Sequence, residues 1–167
     1  MFIFRKQKTS SEIKSIARRG LKSDFTKNIQ NYVVDTSSII NKFLPKLLHK
    51  GLKGKLIVPN AVMAELENQA NRGREEGFIG LEEITKLHKI PQIKLCFLGP
   101  RPNEHQIRFA KSGEIDSLIR ETAMENKAVL ITSDLVQAKT SQAYGLEVVF
   151  LRPPIIKQKR RFFFWKR

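Results

Sequence analysis

The sequence predicts an α/β fold in which a parallel sheet of about five strands is covered by helices on both faces. Short apolar runs alternate along the chain with longer stretches whose apolar residues recur at helical spacing. The short runs are continuously apolar, which is typical of strands buried on both faces of a parallel sheet. The length of 167 residues suits one domain with a single core and short additional segments at its ends.

Each predicted strand is a short apolar run bounded by residues that interrupt a strand. Asp35 ends the first run, and Pro59 stops the second. A rigid loop at 99–102, rich in Gly and Pro, follows the third. In chain order, the predicted strands are 32–34, 56–58, 93–98, 128–132 and 148–151.

The predicted helices are the amphipathic stretches between these runs. Pro45 predicts a kink or break in the first of them, and Gly73 and Gly77 mark a loop after the second. The apolar residues of 115–123 recur at clean helical spacing, and Gly145 suits a C-terminal cap for the last helix. In chain order, the predicted helical stretches are 39–48, 61–70, 78–90, 103–111, 114–126 and 135–144.

The positive charge is concentrated at the two ends of the chain. The net charge is +15, but residues 1–31 carry +6 and residues 152–167 carry +7, which leaves +2 for 32–151. We therefore predict a basic N-terminal arm over 1–31, helical across 10–31, a globular domain over 32–151, and a basic and aromatic tail over 152–167. The sequence pI near 10.2 favours a polyanionic partner, either nucleic acid or an anionic membrane surface.

Several classes of protein are excluded by the composition. A single cysteine, Cys96, allows no internal disulfide framework and suits a reducing compartment, so we expect a cytoplasmic protein. Cys96 lies within the third predicted strand, and we expect it to be a small core residue. No apolar run approaches the roughly 20 residues of a transmembrane helix. The first residues place apolar side chains before the charges, which is not the pattern of a signal peptide.

Four acidic residues are placed where a parallel sheet would bring them together. Asp35 and Asp134 follow two predicted strands, while Glu65 and Asp116 border the apolar stripes of two helices. Ligands of such sheets bind beyond the carboxyl ends of the strands. Four converging carboxylates would stay ionised only with a compensating cation. Oxygen ligands without a His or Cys cluster favour Mg²⁺ or Mn²⁺, and in a basic protein they suggest phosphodiester hydrolysis.

A purely structural interpretation of the same acids remains open at this point. An aspartate after a strand is commonly the N-cap of the next helix, which applies to both Asp35 and Asp134. Glu65 and Asp116 are also compatible with solvated helix positions, and Asp116 is placed to pair with Arg120 one turn later.

The segments that contain these acids resemble the PIN-domain nucleases. The motifs occur in the order of that family and span the body of the chain, at 33–37, 57–66, 113–116 and 130–134. The stretches 65–75 and 110–116 are most similar to the PIN domain of archaeal PIN-domain ATPases. Those relatives carry a P-loop after the PIN domain, but Gly51-Leu52-Lys53-Gly54-Lys55 lacks the P-loop spacing, so no ATPase role is inferred.

The resemblance implies a three-layer α/β/α fold and a Mg²⁺- or Mn²⁺-dependent nuclease, typically acting on RNA and often dimeric or higher. It implies that Asp35 and Asp134 hold the metal, and that Glu65 and Asp116 complete the site or orient the attacking water. All four would then be catalytic and metal-binding residues. Attack in line would leave a 5′-phosphate and a 3′-hydroxyl. The residues expected to support these acids are Thr36, Ser37, Ser133 and Glu114.

Candidate substrate-binding residues lie in a turn and in the C-terminal tail. Arg74 is placed to guide a phosphate near the helix that carries Glu65. Arg160, Arg161 and Trp165 belong to a segment of cations and aromatic residues that suits single-stranded RNA. The tail is also compatible with an anionic membrane surface, or with packing on the same or a second subunit.

The sequence leaves three functions open. The first is a metal-dependent endonuclease that acts on RNA in preference to DNA. The second is a nucleic-acid-binding module with little catalysis. The third is a toxin-type PIN ribonuclease that an antitoxin controls, which the long basic ends fit less well.

Overall fold

A five-stranded parallel sheet organises the computed structural model, which describes residues 30–109 and 113–153. The strand order is β3-β2-β1-β4-β5, and helices flank the sheet, which confirms the predicted three-layer α/β/α architecture. The strands are β1 (Gln30–Val34), β2 (Gly54–Pro59), β3 (Ile93–Leu98), β4 (Val129–Thr132) and β5 (Val148–Phe150). The helices are α1 (Thr36–Ile40), α2 (Leu44–His49), α3 (Asn60–Asn71), α4 (Glu75–Leu87), α5 (Glu104–Phe109), α6 (Glu114–Glu125) and α7 (Leu135–Ala143).

The apolar residues of β1, the central strand, are fully buried. Val33 is fully buried and is in register with Ile57 of β2 and Leu130 of β4, which are fully buried as well. Apolar and polar residues do not alternate along these strands, because helices cover both faces of the sheet. The arrangement fixes the relative height of β1 and β4 and therefore of the residues that come directly after them.

Helix α3 packs closely against α4, and this packing fixes the helix that carries Glu65. A Cβ atom on Gly77 would lie 2.3 Å from the backbone nitrogen of Ala70 and 2.7 Å from the carbonyl oxygen of Leu66. Only glycine allows the two backbones to approach this far. Leu66, the neighbour of Glu65, is fully buried beneath α4.

Several predicted element boundaries are wrong. β1 begins at Gln30, so residues 30 and 31 belong to the sheet and not to a helical arm. The segment around Pro45 is broken into α1 and α2, as one of the two predicted outcomes, with Pro45 in the first turn of α2. Helix α4 begins at Glu75 instead of Phe78, because two glutamates in its first turn favour the positive end of the helix dipole.

Strand β3 departs from the prediction of a strand buried on both faces. It lies at the edge of the sheet, and Phe97 is 37% exposed while Cys96 is half-buried, so Cys96 is not the core residue that the sequence predicts. Helix α5 begins at Glu104, one residue later than the predicted helix 103–111, and the predicted positions 110 and 111 lie outside the described residues.

The two basic ends fall almost entirely outside the described residues. Positions 1–29 and 154–167 are not described, which includes Arg160, Arg161 and Trp165 and most of the predicted N-terminal helix. None of the helices in the described segments has the length and apolar character needed to cross a bilayer.

Candidate active site

Asp35 and Asp134 emerge side by side at the carboxyl edge of the sheet. Val34 at the end of β1 is in parallel register with Ile131 of β4. The backbone N–H of Asp35 donates to the carbonyl oxygen of Ile131 at 3.0 Å. The two aspartates, 99 positions apart in sequence, therefore meet where the sequence predicts.

Asp35 is buried and is held by hydroxyl groups. Its side chain is only 3% exposed and makes no capping hydrogen bond to α1. Both Ser37 and Thr132 donate hydroxyl hydrogen bonds to Oδ2, at 2.5 and 2.7 Å. Burial raises the pKa of Asp35, and the charge of Asp134 adds to the rise, while the hydroxyl donors oppose it.

Glu65 is tied to the same edge by a second hydroxyl. Thr36 donates from Oγ1 to Oε2 of Glu65 at 2.5 Å, and Gln69 donates to Oε1 at 3.4 Å. Burial is the main cause that raises the pKa of Glu65, and the charge of Asp35 raises it further. Two consecutive residues after Asp35 thus each hold one acid in place.

Gln137, on the buried face of α7, connects Asp35 to Asp116. Its side chain is 1% exposed, and its amide is assigned with the nitrogen toward the acids because the opposite orientation would set oxygen against carboxylate oxygen. In this orientation the nitrogen donates to Oδ1 of Asp116 at 3.0 Å and to Oδ1 of Asp35 at 3.2 Å. We call Asp35, Asp116 and Gln137 the bridged pair.

The charges of the other acids affect Asp116 strongly. Burial is the main cause that raises the pKa of Asp116 to about 6. The remaining causes are the negative charges of three neighbours, which are Asp35, Asp134 and Glu65. Arg120 acts in the opposite direction, but its guanidinium lies over the ring of Tyr144 at 4.8 Å, and the ion pair considered from the sequence is not among the salt bridges of the described residues.

Asp134 has the capping role that the structural interpretation of the sequence assigned to it. Its Oδ1 atom accepts from the backbone N–H groups of Val136 at 2.6 Å and Gln137 at 3.1 Å. The residue is exposed at the edge of the sheet. Among the hydrogen bonds of the described residues, Oδ2 accepts none, so one oxygen of the capping carboxylate faces outward for another ligand.

The other predicted residues differ in their distance from these acids. Ser133 is buried, donates its backbone N–H to Ser37 Oγ at 3.0 Å, and accepts from the amide of Asn41 at 3.0 Å. Glu114 is exposed in the first turn of α6, two positions before Asp116. Arg74 is exposed at the N-cap of α4, beyond the end of α3 that points away from the acids.

Two residues of the site carried no functional prediction from the sequence. Gln137 resembles an ordinary polar residue of an amphipathic helix, and Asn41 a residue at a helix end. The available signal for Gln137 was its helical face, because it shares that face with Ala138 and Ser141, which are buried. A polar residue on the buried face of a helix that begins at the carboxyl edge of the sheet is placed to reach the acids at that edge.

The donor set fits a hard divalent cation in its chemistry. Carboxylate and hydroxyl oxygens at one sheet edge, with mutually repelling charges, suit Mg²⁺ or Mn²⁺. Within residues 30–109 and 113–153, however, no group of three or more His, Cys, Asp or Glu side chains is arranged to hold an ion. The arrangement therefore fits an ion that takes one or two carboxylates and completes its shell with water and substrate, as Mg²⁺ usually does.

Comparisons with known proteins agree with this architecture. The family model described as the PIN domain matches residues 32–143. The chain is 45% identical over 123 residues to an uncharacterized KH and PIN-domain containing protein of Methanocaldococcus jannaschii, and 22% identical over 119 residues to the Holliday junction branch migration ATPase PINA of Sulfolobus acidocaldarius. Each match covers 71% of this chain but only 19% and 22% of those relatives, so the chain spans about a fifth of their length.

A solved structure shows the same fold at higher coverage. It is a domain of a functionally unknown protein from Methanocaldococcus jannaschii, with a TM-score of 0.71 and 40% sequence identity. The match covers 75% of this chain and 93% of that domain.

Proposed function

This chain belongs to the PIN domain family, whose members are generally nucleases, and we propose that it is a divalent-metal-dependent endonuclease that hydrolyses phosphodiester bonds in RNA. The observation that carries the proposal is the bridged pair. Asp35 and Asp116 both accept from one buried amide, at the edge where Asp134 and Glu65 add further negative charge. A fold gains nothing from such repulsion unless a cation compensates it.

The proposed cofactor is Mg²⁺ or Mn²⁺, held by Asp35 and Asp116 or by Asp35 and the outward oxygen of Asp134. Such an ion would activate water and neutralise the charge that develops on phosphorus. Glu65 would complete the site or orient the attacking water. This assignment of roles rests on the oxygen donors of the site and on its net negative charge.

The hydroxyl groups of the site would hold the acids in one geometry. Ser37 and Thr132 donate to the same oxygen of Asp35, which leaves Oδ1 for Gln137 and for a ligand. Thr36 does the same for one oxygen of Glu65. Such positioning of a carboxylate is worth roughly 10- to 100-fold in metal affinity or activity in characterised metal sites.

A second candidate function is a nucleic-acid-binding module with little catalysis. One observation favours it, namely that no three acids in the described parts of the chain are arranged around a common ion. The basic ends fit both functions, and Arg160, Arg161 and Trp165 in the tail are proposed to contact RNA through phosphates and bases. Cleavage separates the two candidates, since both predict binding.

The relatives restrict how far the proposal extends. One of them is a branch migration ATPase that acts on Holliday junctions, but this chain aligns with about a fifth of it. The motor activity of that protein is therefore not proposed for this chain. RNA is preferred over DNA as substrate, and a homo-oligomer is proposed, both from the resemblance to the PIN-domain nucleases.

The decisive experiment measures cleavage of single-stranded RNA and DNA with Mn²⁺, with Mg²⁺ and with EDTA. We expect the wild type to cleave RNA only with metal, and we expect Asp35→Asn and Asp116→Asn to be at least about 100-fold slower. Glu121→Gln is the matched control because Glu121 is an exposed acid on α6, the helix of Asp116, and it should stay within about twofold of the wild type.

Three outcomes have distinct meanings. Equal cleavage rates in the wild type, the two aspartate variants and the control would show that a contaminating nuclease cleaves the RNA. That result would overturn the proposal. RNA binding without cleavage by the wild type in either metal would favour the binding module. Cleavage of DNA but not RNA would retain the metal site and correct the substrate.

A further inference from the structure

A basic cleft lies next to the acids and has no role in the endonuclease function proposed above. Its volume is about 500 Å³, within the range of ligand pockets. It lies between the segment that joins α1 to α2 and the chain just after β5. The residues that line it are Asn41, Lys42, Phe43, Pro45, Lys46, His49 and Arg152, and we call it the basic cleft.

The lining of the basic cleft suits an anion. Lys42, Lys46 and Arg152 are cationic, His49 can donate a hydrogen bond, and none of the described residues that line the cleft is acidic. A concave surface with one sign of charge focuses the electrostatic potential on its ligand. Glu82 is an acid in electrostatic contact with Lys42, but its main partner is Lys86.

The backbone at Lys42 is unusual for a residue with a side chain. Its φ angle is 55°, in the left-handed region that favours glycine. Hydrogen bonds hold it there, because the N–H of Lys42 donates to the carbonyl of Ile39 at 2.9 Å and that of Phe43 donates to Ser38 at 3.1 Å. Lys127, which follows α6 in the same kind of helix-ending turn, has a φ angle of 47°, so this conformation sets the path of the chain and is not specific to the cleft. The turn at Lys42 directs the chain from α1 around the cleft.

Two independent contacts join the basic cleft to the acids. The amide of Asn41, in the cleft wall, donates to Ser133 Oγ at 3.0 Å, and Ser133 directly precedes Asp134. On the other wall, the N–H of Leu151 donates to the carbonyl of Thr132 at 2.9 Å and so places Arg152 beside the end of β4. The cleft therefore opens at the same sheet edge as the bridged pair.

We infer that the basic cleft binds a backbone phosphate of the nucleic-acid strand that the acids cleave, at a linkage adjoining the scissile one. The inference rests on the proposed function and assigns the path of the substrate across the site. A strand that approaches four acids is repelled by them, so cations on one side of the acids are needed to hold it. The basic cleft provides those cations at the same edge.

A second cleft in the described residues provides a matched control. It has a volume of about 380 Å³ and is lined by Lys53, Lys55 and Lys94 among others. These lysines flank the amino ends of β2 and β3, at the opposite edge of the sheet from the acids. Removal of charge there tests whether any basic cleft has the same effect.

The first test is RNA binding by the full chain in EDTA, followed by fluorescence anisotropy of a labelled single-stranded oligonucleotide. We expect the double variant Lys46→Gln/Arg152→Gln to bind roughly tenfold more weakly and to reduce the salt dependence by about 0.7 for each lost phosphate contact. The control Lys53→Gln/Lys94→Gln should stay within about threefold. Equal losses in the two variants, or no loss in the first, would overturn the inference.

The second test locates the phosphate on the strand. One phosphodiester at a time is replaced by an uncharged methylphosphonate, and binding is measured for the wild type and for Lys46→Gln/Arg152→Gln. At one position the replacement should weaken RNA binding by the wild type about tenfold and binding by the double variant hardly at all. The double variant has already lost the contact to that phosphate, so the two changes are not additive. Additive losses at every position would contradict a cleft-bound phosphate.

The two proposals fail in different ways. An absence of metal-dependent cleavage, with binding that still depends on Lys46 and Arg152, would overturn the endonuclease and keep the cleft as a nucleic-acid site. Metal-dependent cleavage with unchanged binding in the double variant would overturn the cleft and keep the endonuclease.

Discussion

The ends of β1 and β4 have the same pattern in sequence, an apolar strand followed by an aspartate and a helix, yet the two aspartates have different surroundings. Asp134 is exposed and caps α7 through two backbone N–H groups. Asp35 is 3% exposed, makes no side-chain capping hydrogen bond to α1, and accepts hydrogen bonds from two side-chain hydroxyls. Asp134 has an ordinary structural role as a helix cap. Asp35 is buried, and no cation is among the groups that shift its pKa.

The difference arises from the position of the two strands in the sheet. β1 is central, so the end of the strand is enclosed by residues of neighbouring elements, including Thr132 at the end of β4 and Gln137 on α7. The Thr132 hydroxyl joins the two regions, because it donates to Asp35 Oδ2 and accepts from the N–H of Asp134 at 3.0 Å. A carboxylate enclosed in this way is stable only if nearby donors or a cation compensate its charge.

The largest effect on stability is expected from loss of that shared hydroxyl. Thr132→Val should lower the free energy of unfolding by about 2 kcal/mol, because a buried carboxylate and a backbone N–H each lose a partner. Activity should fall roughly tenfold, since Asp35 is less well positioned. Urea unfolding and RNA cleavage measure the two effects.

Thr85→Val and Thr132→Ser serve as controls for this prediction. Thr85 is on the exposed face of α4, and within the described residues its hydroxyl bonds the carbonyl of Leu81 alone, so the substitution should change stability by less than about 0.5 kcal/mol. Thr132→Ser retains the hydroxyl and should recover most of the activity. A Thr132→Val variant as active as the wild type would show that the hydroxyl does not position Asp35.

The two aspartates should respond to substitution with opposite signs. In EDTA at pH 7, Asp134→Ala should lower the free energy of unfolding by about 1 kcal/mol through loss of the cap, while Asp134→Asn, another good N-cap, should be nearly neutral. Asp35→Asn should instead raise it by about 1 kcal/mol, because it removes a carboxylate whose ionised form is disfavoured by burial. Urea denaturation of the three variants measures both signs.

Added Mn²⁺ sharpens the same comparison. It should stabilise the wild type and stabilise Asp35→Asn much less, since a ligand that binds only the folded state raises its stability. If Asp35→Asn were destabilised in EDTA, the buried aspartate would contribute to folding by itself, and the contrast between the two strand ends would be lost.

The sequence predicted the parts of this site that depend on backbone topology. Continuous apolar runs indicated parallel strands, and parallel neighbours place Asp35 and Asp134 at one edge. The sequence did not predict that Asp35 is buried while Asp134 is an exposed helix cap. Both positions have the local pattern of a helix cap, and the burial of Asp35 depends on residues nearly a hundred positions away. The prediction that Cys96 lies in the core was wrong for the same reason, since edge and central strands have similar composition.

Gln137 and Asn41 show a further limit of sequence patterns. Both are short polar residues at positions where helices usually meet solvent, and only the three-dimensional arrangement directs their amides toward Asp116 and Ser133. The acids were identified because carboxylates in a recurrent order suggest metal chemistry. The neutral residues that connect them have no such chemical signature and need the fold to be recognised.

The last expected effect is the contribution of Asp116 to the pH dependence of stability in EDTA. Below its ordinary pKa of 3.8, the carboxyl is protonated in the folded and the unfolded chain. Between pH 3.8 and about 6 only the unfolded chain loses the proton, so this group makes stability fall as pH rises. Above pH 6 both states are ionised and the loss is complete. Asp116→Asn should therefore gain stability relative to the wild type across this window and gain no more above it.

Even with part of the repulsion screened by solvent, the gain should be at least about 1 kcal/mol, because the raised pKa of the half-buried carboxyl reflects tighter proton binding in the folded chain, and each tenfold difference in proton affinity corresponds to about 1.4 kcal/mol. Urea unfolding of both proteins from pH 4 to pH 8 measures it. Glu121→Gln, which replaces an exposed acid on the same helix, is measured alongside as the control. A gain for Asp116→Asn that was constant from pH 4 to pH 8 would assign it to packing of the amide. The repulsion among the acids would then be too weak to require a cation. Asp134 and Asp35 would in that case differ in burial but not in function.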